Sequence, residues 1–295
     1  SFTGVLSVRP NSAVIVGLNG AANSTEAEVT GLFGAVNYKL PMDLRLTVEG
    51  RYQEDTIRNT GNQADPQEVT FKDFLPRVIL SWLPEGGNLN IYGSWAKGVI
   101  PGQYNASLVD PTIVPSERER LASTTGATLV LDSEEVDAYE LGWKQRFLNR
   151  RAYVNFATYY MEWRGQKLLA SLPVELVDGS ISNKSIYVPA DIDIKGFELE
   201  AGWRVTSSFE IEGTLNWVDS EYKSGLDNNI RILTGSANIK GSKISRFPEW
   251  SASLAGTLTG TLPSGNWDWY SRLDLIYTGK QFVDPANLSY IDSYI

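Results

Sequence analysis

The sequence predicts an all-β protein, an antiparallel transmembrane β-barrel, and three observations carry that prediction. Five times an alternating strand runs into a tight turn and returns as another alternating strand. The turns fall at Pro41-Met42-Asp43, Pro84-Glu85-Gly86-Gly87, Leu148-Asn149-Arg150-Arg151, Val205-Thr206-Ser207-Ser208 and Pro263-Ser264-Gly265-Asn266. The stretches between hairpins, 59–69, 99–134, 170–190, 224–245 and 281–288, are long and polar. Tight turns on one rim and long loops on the other are the arrangement of a barrel in an outer membrane.

The second observation is where the charge sits. Successive strand side chains point to opposite faces. From Asp43 to Tyr52, one phase holds Leu44, Leu46, Val48, Gly50 and Tyr52, and the other Asp43, Arg45, Thr47, Glu49 and Arg51. Phe197, Leu199, Ala201, Trp203 and Val205 stand in the same relation to Glu198, Glu200, Gly202 and Arg204. The segments 209–217, 252–262 and 267–277 keep one phase equally free of charge. A bilayer imposes this, since Arg or Lys on the lipid face at the midplane costs about 2–4 kcal/mol.

The third observation is aromatic. Trp82, Trp203, Trp217, Trp267, Trp269 and Tyr277 lie in the charge-free phase near strand ends, where headgroup-level girdles sit. A soluble β-sandwich also alternates, but its strands are usually about five or six residues. It also does not sort short and long connections onto opposite ends. Many strands here reach the roughly 9–11 residues that cross a bilayer.

Taken in order, the expected strands are 1–9, 27–40, 43–58, 69–83, 88–98, 134–147, 151–168, 191–205, 208–223, 247–262, 266–280 and 287–295, about twelve in all. Ala13 to Leu18 competes with the first of them. No helix is expected. The hairpins recur without a sequence repeat, and two long strands per unit do not make a propeller blade.

Composition removes several function classes. With 295 residues, 42% hydrophobic and 21% charged, the chain suffices for one large β domain. No 18-residue apolar run offers a membrane helix. The absence of cysteine and histidine leaves no disulfide, thiolate site, imidazole site or His-based triad. A net charge of −9 argues against a nucleic-acid surface. Ser1-Phe2-Thr3-Gly4-Val5 does not read as a signal peptide, and 287–295 reads as a strand entering a membrane, so a piece of a longer protein is expected.

Particular segments carry a family resemblance. Phe74-Leu75-Pro76-Arg77-Val78-Ile79-Leu80-Ser81-Trp82, Ile91-Tyr92-Gly93-Ser94-Trp95-Ala96-Lys97-Gly98 and the loop start Pro101-Gly102-Gln103-Tyr104-Asn105 resemble the TonB-dependent outer-membrane receptors. So do Val136-Asp137-Ala138-Tyr139-Glu140-Leu141-Gly142-Trp143-Lys144 and Ile194-Lys195-Gly196-Phe197-Glu198-Leu199-Glu200. The resemblance runs from about Val29 to the end. It implies a 22-stranded barrel closed by an N-terminal plug, a barrel class of that size being known. Residues 1–295 would form the C-terminal part of that barrel domain, without the plug, the TonB-contacting segment or the last strands. The expected location is the outer membrane of a Gram-negative bacterium, and a monomer is expected.

No residue set reads as catalytic, and no cofactor is expected. Asp132-Ser133-Glu134-Glu135-Val136-Asp137 admits a calcium reading, although solvated loop charge is the simpler one. Glu198, Glu200, Arg204, Glu210 and Glu212 are expected to form cross-strand ion pairs on the inner wall, with guidance of an ionic substrate as the alternative. Ligand contacts are sought in the 99–134 loop, because binding residues concentrate on loops held by a rigid scaffold. There Tyr104 offers an aromatic face, Asn105 hydrogen bonds, and Arg118 and Arg120 paired positive charge for carboxylate or catecholate oxygens.

The resemblance implies a receptor that binds a scarce nutrient and admits it with TonB-coupled energy. An Fe(III)–siderophore is the expected cargo, with cobalamin or an oligosaccharide open and haem disfavoured by the lack of histidine. The alternatives are a passive porin or adhesin-type barrel and an extracellular β-rich hydrolase. The latter would need a converging carboxylate pair.

Overall fold

The computed structural model describes residues 7–8, 11–16, 24–60 and 67–295. Two short strands, β1 (Ser7–Val8) and β2 (Asn11–Val16), both pair with β3 (Ser24–Lys39). There follow β4 (Leu44–Thr60), β5 (Gln67–Trp82), β6 (Leu89–Ile100), β7 (Gln103–Tyr104), β8 (Val130–Leu131), β9 (Glu134–Phe147), β10 (Ala152–Glu175), β11 (Ile181–Arg204), β12 (Phe209–Tyr222), β13 (Trp250–Thr261), β14 (Asp268–Thr278), β15 (Gln281–Phe282) and β16 (Tyr290–Ile291). Ten of these are long, and they form one antiparallel meander in the order β3-β4-β5-β6-β9-β10-β11-β12-β13-β14.

All five tight turns are where the sequence places them, and their backbone explains why. Met42 and Asp43 (φ 59° and 60°) and Leu148, Asn149 and Arg150 (φ 50°, 54° and 67°) take left-handed conformations that reverse the chain between right-twisted strands. At Val205–Ser208 the Thr206 hydroxyl accepts the N–H groups of Ser208 and Phe209 at 3.1 and 3.0 Å.

Register carries one apolar face across the whole meander. Leu46 stands opposite Tyr38 on one side and Leu80 on the other. Further along, Ile91 faces Trp143, Trp143 faces Phe156, Phe156 faces Leu199, and Leu199 faces Leu215. Leu254 then faces Gly213 and Leu275. Several of these side chains stay exposed in the isolated wall, Leu80 at 46% and Leu254 at 47%, and the others are half-buried, as on a face meant for lipid. The opposite face carries the charges.

Four expectations need correction or qualification. The strand expected over 1–9 lies mostly outside the described residues, where only Ser7–Val8 is strand; Asn11–Val16 is strand within the competing segment, whose end, 17–18, also lies outside. In place of a strand over 287–295, Tyr290–Ile291 pairs with Gln281–Phe282, and Tyr294 bridges to Thr278. The Asp284 carboxylate, which accepts the N–H groups of Ala286, Leu288 and Ser289, folds the chain into a turn there.

The loop expected over 170–190 is instead the upper part of a hairpin, since β10 and β11 are each 24 residues long. That is about twice what a bilayer needs. Along β11 the apolar phase changes face. Phe197, Leu199, Ala201 and Trp203 belong to the lipid face, whereas Ile186, Val188, Ala190 and Ile192 belong to the other and are buried. A bulge between Trp163 and Gln166 makes the matching change on β10, with Gly165 at φ 66°.

A helix, α1 (Pro115–Thr125), occupies the long loop where none was expected. Pro115 suits the first helical turn, and Gly126, at φ 73°, closes the helix by donating to the Ala122 carbonyl at 3.1 Å. A second helix is one turn, α2 (Arg231–Thr234).

Candidate functional site

The two long loops fold back onto the charged face of the sheet, the one that looks into a barrel. Leu108, Ile113, Leu121 and Ala127 of the 101–133 loop pack against Ala170, Leu172, Val174, Ile186 and Val188 of the hairpin. Ile230 and Ile239 of the 223–249 loop pack against Ala190, Ile192 and Tyr222. Burial of a Leu or Ile in such a cluster contributes about 1.5–3 kcal/mol. The phase change along β11 therefore gives the loops an inward apolar seat above the lipid zone.

Polar contacts fix how the first loop crosses that seat. Asn105 is buried, and its amide donates to the Tyr187 carbonyl at 2.8 Å and accepts the Tyr187 N–H at 3.1 Å. Pairing of β11 with β12 ends at Ile192 and Tyr222, so Tyr187 has no neighbouring strand there, and Asn105 takes its place. Ser107 donates to the Ser185 carbonyl at 2.5 Å. Lys184 then meets Asp110 at 2.7 Å. That lysine and the Thr112 hydroxyl and N–H hold the Asp110 carboxyl down at about 2. Near the hairpin tip, Val114 donates to the Glu175 carbonyl at 3.2 Å and Val177 to the Thr112 carbonyl at 2.8 Å.

At the root of the loop sits a buried ion pair. Lys167 Nζ lies 3.3 Å from Glu134 Oε1 and donates to the Pro101 carbonyl at 2.9 Å. Glu134 also accepts Trp163 Nε1 at 2.9 Å and the Lys167 N–H at 3.1 Å. Gly165 N–H goes to Asp191 at 3.0 Å, so side chains satisfy backbone groups that the bulge withdraws from the ladder. Gly102 lies against this root, where an added Cβ would stand 2.1 Å from Phe71 Cε1 and 2.3 Å from the Leu131 carbonyl oxygen.

The four residues sought as ligand contacts have different fates. Tyr104 is half-buried in the β7–β8 pair; burial, with the Glu68 carboxylate adding to it, pushes its hydroxyl up from its ordinary value. Asn105 is the clamp just described, and both ends of its amide are engaged within the protein. Arg118 donates to the Asp110 carbonyl at 3.0 Å, and its buried Nε has no partner among the described residues. Arg120 engages Glu117 and donates to the Pro173 carbonyl at 3.3 Å. The two guanidiniums brace different parts of the loop and do not converge on one anion site.

The carboxylates at 132–137 diverge too. Glu134 joins Lys167, Glu135 meets Lys97 at 2.8 Å, and Asp137 accepts Trp95 Nε1 at 3.0 Å. Reading them as loop charge missed that Glu134 is buried. Nothing in the sequence around Lys167, which stands among Glu162, Arg164 and Gln166, signals that partnership.

On the inner wall below, Arg204, Glu210 and Glu212 form the expected cross-strand ion pairs, whereas Glu198 and Glu200 have no cationic partner among the described residues. Arg204 lies 3.7 Å from Glu210 and Arg272 3.6 Å from Glu212. Glu200 accepts Tyr153 and Asn155 at 3.1 and 2.9 Å, and Tyr92 donates to Glu140 at 2.5 Å. A concavity of about 330 Å³ on this wall is lined by Tyr92, Glu140, Lys144, Glu198, Glu200 and Asn216.

A sheet with lipid on one face, a charged wall on the other and long loops seated over the charged side is the wall of an outer-membrane-type β-barrel. The sequence matches the family described as TonB dependent receptor-like, beta-barrel, over residues 3–295, and the chain belongs to that family. No curated protein matches it.

Among solved structures it is similar to the ferric yersiniabactin uptake receptor FyuA from Yersinia pestis, at 18% identity and TM-score 0.67, over 93% of this chain and 38% of that one. The siderophore receptor PiuA from Acinetobacter baumannii is similar at 16% and 0.65, over 92% and 36%. BauA, the ferric preacinetobactin receptor from the same organism, is similar at 12% and 0.67, over 92% and 35%. At such identities the likeness shows the fold. The chain spans well under half the length of these receptors.

Proposed function

We propose that the complete protein is an outer-membrane receptor that binds a scarce nutrient at the cell surface and imports it with TonB-coupled energy, and that the cargo is an Fe(III)–siderophore. Residues 1–295 serve as part of its barrel domain, and the receptor works as a monomer. The observation that carries this reading is the seating of both long loops on the inward side of a barrel wall, in a chain of this family. Loops so placed stand over the route into the barrel, and they are held by buried contacts, so they present a formed surface to an arriving ligand. Cargo identity draws support from the relatives, three of which are named for siderophore or ferric-chelate uptake.

Growth is the test. A strain lacking the gene is fed iron as a panel of ferric siderophores, each supplied as sole source. The reading expects a growth defect on at least one chelate and restoration by the intact gene. Equal growth of both strains on every chelate would remove the siderophore assignment. Constitutive ion conductance of the purified protein would favour a passive barrel instead.

A further inference from the structure

A seam parts the wall between β5 and β6. The two strands pair only over Arg77–Trp82 and Ile91–Ala96. Above the Arg77–Ala96 pair they go on toward the long loops without each other. There β5 stays on β4 as far as Gln67, and β6 stays on β9 as far as Ile100.

Pro76 explains where the ladder stops. The Leu83 N–H donates to the Asp43 carbonyl at 3.0 Å, so odd-numbered residues of β5 address β4 and even-numbered ones address β6. Trp82, Leu80 and Val78 do so against Ile91, Gly93 and Trp95. The next such position is Pro76, which has no N–H to give to Lys97. Beyond it, the N–H and C=O groups of Phe74, Lys72 and Thr70 face the seam with no backbone partner there among the described residues.

A cavity of about 550 Å³ lies at the top of the seam, lined by the four consecutive residues Thr70 to Asp73 and, across from them, by Asp132 and Ser133. Consecutive strand side chains alternate between faces, so four in a row line one cavity only along the strand's edge. Gly98 on β6 also borders open space, since an added Cβ there would meet no atom within 4 Å. The cations around the cavity are already engaged: Lys72 by Glu54 at 3.0 Å, Lys97 by Glu135 at 2.8 Å and Arg164 by Glu162 at 2.5 Å. The carboxylates are not. Asp73 accepts the Ser133 hydroxyl at 3.2 Å, and neither Asp73 nor Asp132 meets a cation among the described residues.

A bare strand edge is complementary to another extended backbone, and carboxylates without cations are complementary to basic side chains upon it. We propose that the β5 edge above Pro76 is a strand-addition site, which takes an extended basic segment of a partner protein at the cell surface. Side chains two apart on a strand share a face, so lysines or arginines at alternate positions of that segment reach the cavity that holds Asp73 and Asp132. Fluorescence anisotropy with the complete protein in detergent tests this. The probe is a labelled hexapeptide, Thr-Lys-Val-Lys-Val-Thr, set beside the same peptide N-methylated at alternate amides and a third with Gln in place of Lys.

Native protein is expected to bind the lysine peptide and to bind its N-methylated form about tenfold more weakly, because methylation removes ladder donors and leaves the charge. P76V restores the N–H that faces Lys97, lets β6 close the seam and should lose the peptide. D73N/D132N leaves the edge bare and should lose the preference for the lysine peptide over the glutamine one. No binding by native protein, or equal binding of the N-methylated peptide, would overturn the strand-addition site. Binding that follows charge but not N–H groups would make the cavity a site for a small cation, and dimerisation without peptide would give the edge to a second copy; either would overturn the proposal.

Discussion

The Asn105 side chain takes both backbone groups of Tyr187, donating at 2.8 Å and accepting at 3.1 Å, and so stands in for a missing strand. One amide thus fixes the 101–133 loop to the free edge of a hairpin that rises above the lipid zone. Asn105→Ala leaves a buried donor and acceptor unsatisfied, at a cost of about 1–3 kcal/mol each. Amide hydrogen exchange at Tyr187 should speed up, while exchange in β12 to β14 stays unchanged. Undisturbed protection at Tyr187 would show that the clamp does not hold the loop.

The pair of Glu134 and Lys167, whose side chains are 8% and 5% exposed, should be costly to break from either side. Removing one partner of a buried pair costs about 3–5 kcal/mol, whereas replacing both by apolar groups is often close to neutral. Thermal unfolding of E134L, K167M and the double variant should show two large single losses and a double loss smaller than their sum, the part that remains being set by the orphaned Trp163 Nε1, Lys167 N–H and Pro101 carbonyl. Additive losses would mean that the two side chains act independently.

Gly102 should tolerate no side chain. Its missing Cβ would meet the Phe71 ring at 2.1 Å and the Leu131 carbonyl oxygen at 2.3 Å. Trimming the ring removes only the first contact. Limited proteolysis is therefore expected to open the 101–133 loop in G102A and to open it still in G102A/F71A. Full protection in the double variant would assign the whole constraint to Phe71.

The contact between Asp110 and Lys184 sets an acid limit on the loop. Its carboxyl titrates at about 2 in the folded protein against an ordinary 3.8, so the contribution is complete above roughly pH 4 and is lost as pH falls toward 2. Exchange at Thr112 should be insensitive to pH from neutrality down to about 5, once corrected for intrinsic rates, and should rise only in strong acid. In D110N that acid-induced rise should disappear. A transition near neutral pH would point to another group.

The two faces of the wall should answer charge differently. Val48→Arg, on the lipid face, is expected to cost about 2–4 kcal/mol of folding free energy in bilayers. Thr47→Arg, one residue away on the charged face, should cost much less. Equal costs would reverse the assignment of faces.

Strands and turns were legible in the sequence because a bilayer enforces alternation residue by residue, as between Leu44 and Tyr52. The upper hairpin was hidden for the same reason. Where Ile186 to Ile192 pass from lipid to loop contacts, the apolar phase changes face, and one extra residue beside Gly165 does the same on β10. Continuous strands then read as strand followed by loop. Pro115 and Gly126 did bracket α1, but its apolar contact is little more than Leu121, too sparse for a helical period to stand out. The clamp at Asn105 and the partnership of Glu134 with Lys167 join residues far apart in the chain, and nothing local announces them.

Uptake by whole cells separates energised import from passive entry. Cells carrying the intact gene are given a labelled ferric siderophore with and without a functional TonB. Binding is expected in both, and accumulation only where TonB is present. Equal accumulation without TonB, or no binding of any ferric chelate, would contradict energised import of a ferric siderophore.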